Sequence, residues 1–509
     1  MRPAGVLRFA FAGTRTDRAR VSITAAGAAV AVLVLLCCAT VMTIEPESGR
    51  YQSRMFTANT ILPNTVLAML LFSIPIMFLV AQSARLGAPA RDRRLAAFRM
   101  AGASPAQIGW IAAVETGLAA TIGAALGAAA YFAGRVLLDN PGPDGRRPLP
   151  TDVLPTRPAA IGIVIGVPLL ATLLTVVLLR RVAITPFGVV RQSRQQRVRA
   201  WPMLLLVLGL AGMTGMSAAM RSEYVRQGRL DPTQAYNLLI LVLLACTILV
   251  LLGLMFTVAW IGYTGARLLL RVTRRPSALI AARQVLADPY DCSRSYTVIL
   301  VTTAFGAAGM MLHSWMLTEV AVRAAAIRDA ALAYGTPSTD LSGTAAFRSD
   351  VHDIVNAVLL GIIGVAALTL LIALVESGVA RRRAIAALVA GGTPRAVLAR
   401  AMYWRVLIPA VPGIAIAGLA GMLAMRSFTA TATAGWGGPV CVGTPAQCAG
   451  DDAGNYMEYR SVTHTFQTPV PWGEIGAIAS ASLLAVLLVI AASLLLQRSS
   501  TNPSELRAD

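Results

Sequence analysis

The stretch RRLAAFRMAGASPAQI, Arg93 to Ile108, returns at Arg382 to Val397 as RRAIAALVAGGTPRAV, without a gap and at an offset of 289 residues. Both copies read alike. A basic start opens a short amphipathic helix, and Gly102 or Gly391 then supplies a residue able to take the left-handed conformation that ends a helix. Ser104 or Thr393 is suited to cap the next helix. Pro105 or Pro394 is suited to its first position, where no amide hydrogen is needed. A long apolar run follows each copy. The expectation is a helix–elbow–helix, made twice, feeding two corresponding membrane helices.

Outward from these elbows the chain is dominated by apolar runs. Its 509 residues are 56% hydrophobic and 13% charged, with a mean hydropathy of +0.66. A soluble domain has too little polar surface to cover that much apolar material. Ten runs reach the roughly 20 residues that cross a bilayer. They lie near 22–44, 61–82, 108–132, 159–180, 201–220, 236–262, 296–317, 354–376, 404–425 and 474–496. The fourth contains Pro168, tolerated in a membrane helix when neighbours satisfy the freed carbonyl. The first follows Arg2, Arg8, Arg15, Arg18 and Arg20. It is too long for a signal-peptide core and reads as an uncleaved span.

The net charge of +20 raises nucleic acid as a partner, and its distribution answers the point. With the N-terminus inside, the cytoplasmic segments hold 30 Arg and 8 acids, the external ones 14 Arg and 16 acids. This is positive-inside sorting. The basic excess therefore sets topology and attracts anionic lipid heads, and no nucleic-acid partner is expected. Every basic residue is Arg. A phosphate-binding GxxxxGK[ST] loop needs its Lys on the phosphates, so ATP chemistry requires a separate subunit and the chain binds no cofactor of its own.

Further pieces repeat. LRFAFAGTRTDRARVSIT precedes the first span and LIAARQVLADPYDCSRSYT the seventh, both reading as interfacial amphipathic helices. TPFGVVRQSR follows the fourth span and NPSELRAD the tenth. The expected architecture is an all-α polytopic membrane protein of about ten transmembrane helices in a 4+2+4 order. Residues 1–195 form the first four-helix unit, 196–274 two linking helices, and 275–509 the second unit, with a small external loop at 427–473. Even span numbers make the units parallel, and both termini cytoplasmic.

In these elbows the sequence resembles the FtsX-like (MacB-type) ABC permease family, in a fused ten-span form with two FtsX-like units. The carrying residues are Arg93-Arg94 through Gly102, Ser104 and Pro105, and Arg382-Arg383 through Gly391, Thr393 and Pro394. Glu115, ten residues beyond Pro105, fits the family pattern of a Glu early in the third span; Trp404 stands at the matching position of the second unit. The resemblance implies a permease subunit in a bacterial cell membrane, without catalytic residues. A separate ATPase, working as a dimer, would dock at 92–105 and 381–394. ATP hydrolysis there would drive export, extraction or mechanical work on a hydrophobic or peptide-like substrate at the external face. A secondary transporter and a membrane scaffold without transport are the alternatives.

Other candidates are few. Glu115, Glu376 and Arg405 are the ionisable residues nearest the membrane interior, where charge is expensive and function is the default reading; snorkelling or pairing near the cytoplasmic edge is the plain alternative. Of six Cys, Cys37, Cys38 and Cys246 fall in spans and Cys292 on the cytoplasmic side; only Cys441 and Cys448 fall on the external side, and an oxidising exterior favours a disulfide between them. His313, His352 and His464 are scattered, with no metal-ligand or catalytic spacing around them.

Overall fold

The computed structural model describes residues 15–45, 50–51, 105–141, 145–183, 198–221, 232–287, 289–334, scattered positions of 356–374, 391–444, 448 and 456–499. The second span, the eighth in part, the first elbow before Pro105, and both post-span tails lie outside the described residues.

Nine helices and one hairpin are described in full. They are α1 (Arg15–Val41), α2 (Pro105–Leu137), α3 (Arg157–Ala183), α4 (Met203–Arg221), α5 (Pro232–Val272), α6 (Pro276–Ala287), α7 (Pro289–Tyr334), α8 (Arg395–Thr429), β1 (Thr431–Cys441), β2 (Met457–Gln467) and α9 (Trp472–Ser499). Six are long and apolar enough to cross a membrane, namely α1, α2, α5, α7, α8 and α9. Apolar stretches of α3 and α4 are shorter. The protein is therefore a multi-pass, mainly helical membrane protein.

The helices pack in two groups. In the first, α1 lies along α2, α2 on α3, and α1 on α3. A methyl group at Gly123 or Gly127 of α2 would fall on the carbonyl oxygens of Ala25 and Ala29. Both contact positions rise together, so α1 and α2 run parallel with their backbones in touch. In a membrane no hydrophobic drive separates helix from lipid, and small residues allow the close packing that holds helices together. Val32 and Leu36 of α1, Ala120 and Ala124 of α2, and Val167 and Ala171 of α3 fill this core. Thr40 and Tyr131 share a buried hydrogen bond of 2.7 Å across it.

The second group centres on α7 and α8. Here α7 lies along α8, α8 on α9, and α7 on α9. Gly421 of α8 sits against the Ala304 carbonyl of α7. The core joins Leu254 and Val258 of α5, Ile299 and Leu300 of α7, Val406 and Ile414 of α8, and Val486 and Ile490 of α9 with Leu370. The hydroxyls of Thr303 and Ser482 are 2.8 Å apart inside it. Antiparallel to α5 runs α4, with Gly209, Gly212 and Gly253 at their contact.

The two longest helices overshoot the bilayer by the widest margin. At 41 and 46 residues, α5 and α7 are about 62 and 69 Å long, against a 30 Å hydrocarbon core. The sequence places the seventh span at 296–317; α7 continues unbroken to Tyr334. Its added turns carry the hairpin, which makes the fold not purely helical. The apolar-run reading stops at Leu317 because Glu319, Arg323, Arg328 and Asp329 interrupt hydropathy, whereas nothing in that stretch interrupts helix propensity.

Candidate functional site

Pro105 is the first residue of α2. Arg93, Arg94, Gly102, Ser104, Arg382, Arg383 and Glu376 lie outside the described residues. The second elbow is described from Gly391 onward. The left-handed residue is Gly392, with φ +84°, rather than Gly391. Pro394 stands at the N-cap of α8 with ψ 138°, and no side chain caps the helix. Thr393 thus does not serve as the cap. The Pro394 carbonyl instead accepts from the Val397 amide at 2.9 Å and the Leu398 amide at 3.4 Å. With two glycines in succession either could make the turn, and the proline's fixed φ suits the extended N-cap as well as the first helical turn.

Beside this elbow stands a foot that the sequence pattern did not assign to it. Helix α6 packs on α5 and on α8. Its stripe of Ser277, Ala278, Ala281, Ala282 and Val285 is buried, so the face expected to lie on lipid is spent on protein. The small residues of that stripe were the available signal, because lipid-facing interfacial helices favour large apolar side chains. Gly262 of α5 meets Pro409 of α8 and Val285 of α6, tying the three together. Arg267, Arg271, Arg274, Arg275, Arg283 and Arg400 are exposed on this foot. Its surface is strongly cationic and, among the described residues, α5, α6 and α8 bring no acid to it.

Of the intramembrane candidates, Glu115 is buried at 4% exposure beside the buried Thr116, within the α1–α3 group. Arg405 is half-buried on α8, and Trp404 is 38% exposed.

At the opposite end of the second group, α7 and the hairpin form a subdomain, the one that the sequence reading places on the external side. Eleven residues per strand pair in antiparallel register from Thr431 with Gln467 to Cys441 with Met457, a ribbon about 37 Å long. Every second residue of β1 faces α7, so Ala432 and Ala434 close over Val322. Trp315 Nε1 donates to the Thr431 carbonyl at 3.1 Å, and the Ser314 hydroxyl to the Pro469 carbonyl at 2.8 Å. Asp329 Oδ2 lies 2.9 Å from His464 Nε2, and Tyr334 stacks on Trp436. His313 faces Glu474 of α9 at 3.8 Å. A disulfide joins Cys441 to Cys448, Cα atoms 5.8 Å apart, at the loop end of the ribbon. Of the three His, two thus serve contacts of α7, and His352 lies outside the described residues. No cluster of His, Cys, Asp and Glu suited to a metal occurs among the described residues.

The corresponding end of the first group carries a charged cap. Tyr51, 3% exposed, donates to Asp152 Oδ1 at 2.7 Å; burial, then that carboxylate, push its hydroxyl pKa up. Asp139 Oδ1 accepts from the Thr151 hydroxyl at 2.7 Å and from Arg147 Nε at 2.8 Å. The Thr151 hydroxyl first, then Arg147, hold the Asp139 carboxyl below the usual carboxylate range.

With this geometry in place, comparison with known proteins gives one result. The FtsX-like permease C-terminal family matches residues 65–186, the stretch that contains the first elbow, α2 and α3. No curated protein and no solved structure matches the chain. Residues 65–186 are accordingly similar to the membrane permease components of ABC-type systems, which work with ATPase partners.

Proposed function

We propose that this chain is the permease subunit of an ABC-type complex, in which a separate ATPase dimer drives work at the external face. The carrying observation is the family match over 65–186. The paired groups add support: α1, α2 and α3 make the same three pairings as α7, α8 and α9, with α1 parallel to α2. That correspondence favours two FtsX-like units, 1–195 and 275–509, with 196–274 as two linking helices in a 4+2+4 plan. Both termini are cytoplasmic in this reading, in a bacterial cell membrane.

The ATPase docks on the elbows at 92–105 and 381–394 and on the Arg-rich foot of α5, α6 and α8. Closure of the ATPase rotates the foot. Because α7 follows α6 after one residue and runs unbroken to the hairpin, foot motion reaches the external subdomain as rigid-body motion rather than as bending. The work done there is extrusion, extraction or mechanical displacement of a hydrophobic or peptide-like substrate. The chain itself binds no ATP.

Co-purification tests this. The chain, tagged and extracted with its native membrane, should bring down an ATPase bearing a Lys-containing phosphate loop. Arg382→Glu with Arg383→Glu, combined with Arg283→Glu, should release it. An ATPase that stays bound and coupled in that triple variant removes the docking assignment.

A further inference from the structure

The charged cap of the first group contains one cation whose hydrogen bonds among the described residues go to carbonyls, with Asp139 acting on its charge only from beyond ion-pair distance. Asp152 takes Tyr51 at 2.7 Å and Arg50 at 3.6 Å, with Arg147 at 4.0 Å. Asp139 takes Arg147 at 2.8 Å. Arg135 instead donates Nε to the Thr151 carbonyl and Nη2 to the Asp152 carbonyl, the latter at 3.1 Å. Those are neutral acceptors. Among the described residues no carboxylate stands within ion-pair distance of Arg135, and its Nη1 group is left to donate.

Arg135 lines a cavity of about 340 Å³ together with Phe132, Val136, Asp139 and Thr151. The apolar part of that wall is open to the surroundings, since Phe132 is 51% and Val136 76% exposed. Both residues belong to the last turns of the span Ala113–Leu137, at the depth where acyl chains give way to headgroups. Asp139 supplies the one anion of the cavity. Thr151 and Arg147 both bind its Oδ1, so Oδ2 remains to accept a donor.

An apolar wall at the membrane edge, a guanidinium without a direct carboxylate partner among the described residues and, four residues on, a carboxylate with one oxygen bonded to none of them make a specific set. A guanidinium recognises phosphate through several donors at once. A carboxylate oxygen accepts from a primary ammonium. We propose that this cavity binds a phospholipid with a primary-amine headgroup from the outer leaflet, with its phosphate on Arg135, its ammonium on Asp139 and its chains along Phe132 and Val136. Phosphatidylethanolamine has that chemistry. Phosphatidylglycerol lacks the ammonium, and the quaternary ammonium of phosphatidylcholine has no hydrogen to donate to Asp139. The placement in the outer leaflet rests on the proposed topology; the recognition chemistry does not.

Native mass spectrometry of the detergent-purified chain, without nucleotide or ATPase, reads the site directly. Wild type should retain phosphatidylethanolamine in preference to phosphatidylglycerol and phosphatidylcholine. Arg135→Gln should weaken that retention by about tenfold, the worth of one charge-assisted bond. Arg135→Lys should restore part of it. Asp139→Asn should leave phosphatidylglycerol binding intact while erasing the preference for the amine. Soluble glycerophosphoethanolamine should not displace the lipid, because it has no chain for the apolar wall. Equal retention by wild type and Arg135→Gln, or displacement by the soluble headgroup or by a short peptide, overturns the proposal. Asp139→Asn carries the test if Arg135→Gln loosens the cap and lowers the melting temperature. A thiol at Leu149→Cys should react with a membrane-impermeant reagent from outside the cell; reaction only from inside overturns the outer-leaflet placement together with the proposed topology, whereas the mass-spectrometric test depends on neither topology nor ATPase.

Discussion

The α1–α3 and α7–α9 groups share their helix pairings and differ at one end. Helix α1 stops at Val41, and the end of its group is a low cap of Arg, Asp and Tyr held by ion pairs. Helix α7 runs on past Leu317 to Tyr334 and carries a hairpin of two 11-residue strands on a packed face. The same membrane core thus supports two different ends. What distinguishes them lies outside the bilayer, where water allows polar contacts and a sheet that lipid would forbid. The two proposals above would divide the labour accordingly, with the capped group meeting lipid and the hairpin group moving against what lies outside.

The shared part can be broken first, and it should give the largest effects. Gly421→Leu drives a side chain into the Ala304 carbonyl, and Gly123→Leu does the same at Ala25. Each should cost more than the 1–3 kcal/mol typical of overpacking, because backbone must move. Folded yield in fluorescence-detected size exclusion should collapse for both. A normal yield for either would deny that its group is built on that close approach.

The hairpin end is tested next. Val322 is fully buried under β1. Val322→Asp should undock the ribbon, since an unpaired buried charge costs several kcal/mol. Hydrogen exchange in 431–467 should rise sharply while exchange in 113–137 stays as it was. Cys441→Ser should have a smaller effect confined to the ribbon's loop end, about 2–3 kcal/mol for so short a loop. Limited proteolysis between 441 and 457 reads it.

The capped end gives the mildest test. The carboxyl of Asp139 is held below its unfolded value, so its contribution is fully present above about pH 4. That contribution is lost as pH falls through the folded value. Exchange of 145–152 should therefore accelerate on acidification below pH 4 in the wild type. Asp139→Asn should flatten this dependence.

Much of this was legible in the sequence. Apart from α7, hydropathy located each described membrane helix within a few residues of at least one end, because lipid imposes a length and a polarity on each span. The Cys441–Cys448 spacing pointed to the bond the structure contains. The α7 extension was not legible, since charged residues end an apolar run without ending a helix. The turn residue of the elbow was off by one, at Gly392 instead of Gly391, because adjacent glycines carry no local preference between them. Arg135 drew no notice at all. Four Arg share the segment 133–158, and only the fold shows which of them is held, among the described residues, by carbonyls.

The central claim is that ATPase closure at the foot reaches the hairpin through α7. It is tested most directly by pulsed electron resonance on the reconstituted complex, with one spin label at Ser461 on β2 and one at Leu149 on the cap. The account predicts a distance distribution that shifts when ATP is added and the hydrolysis transition state is trapped, and that stays fixed when the ATPase is omitted. A distribution unchanged by nucleotide in the intact, hydrolysing complex would contradict it.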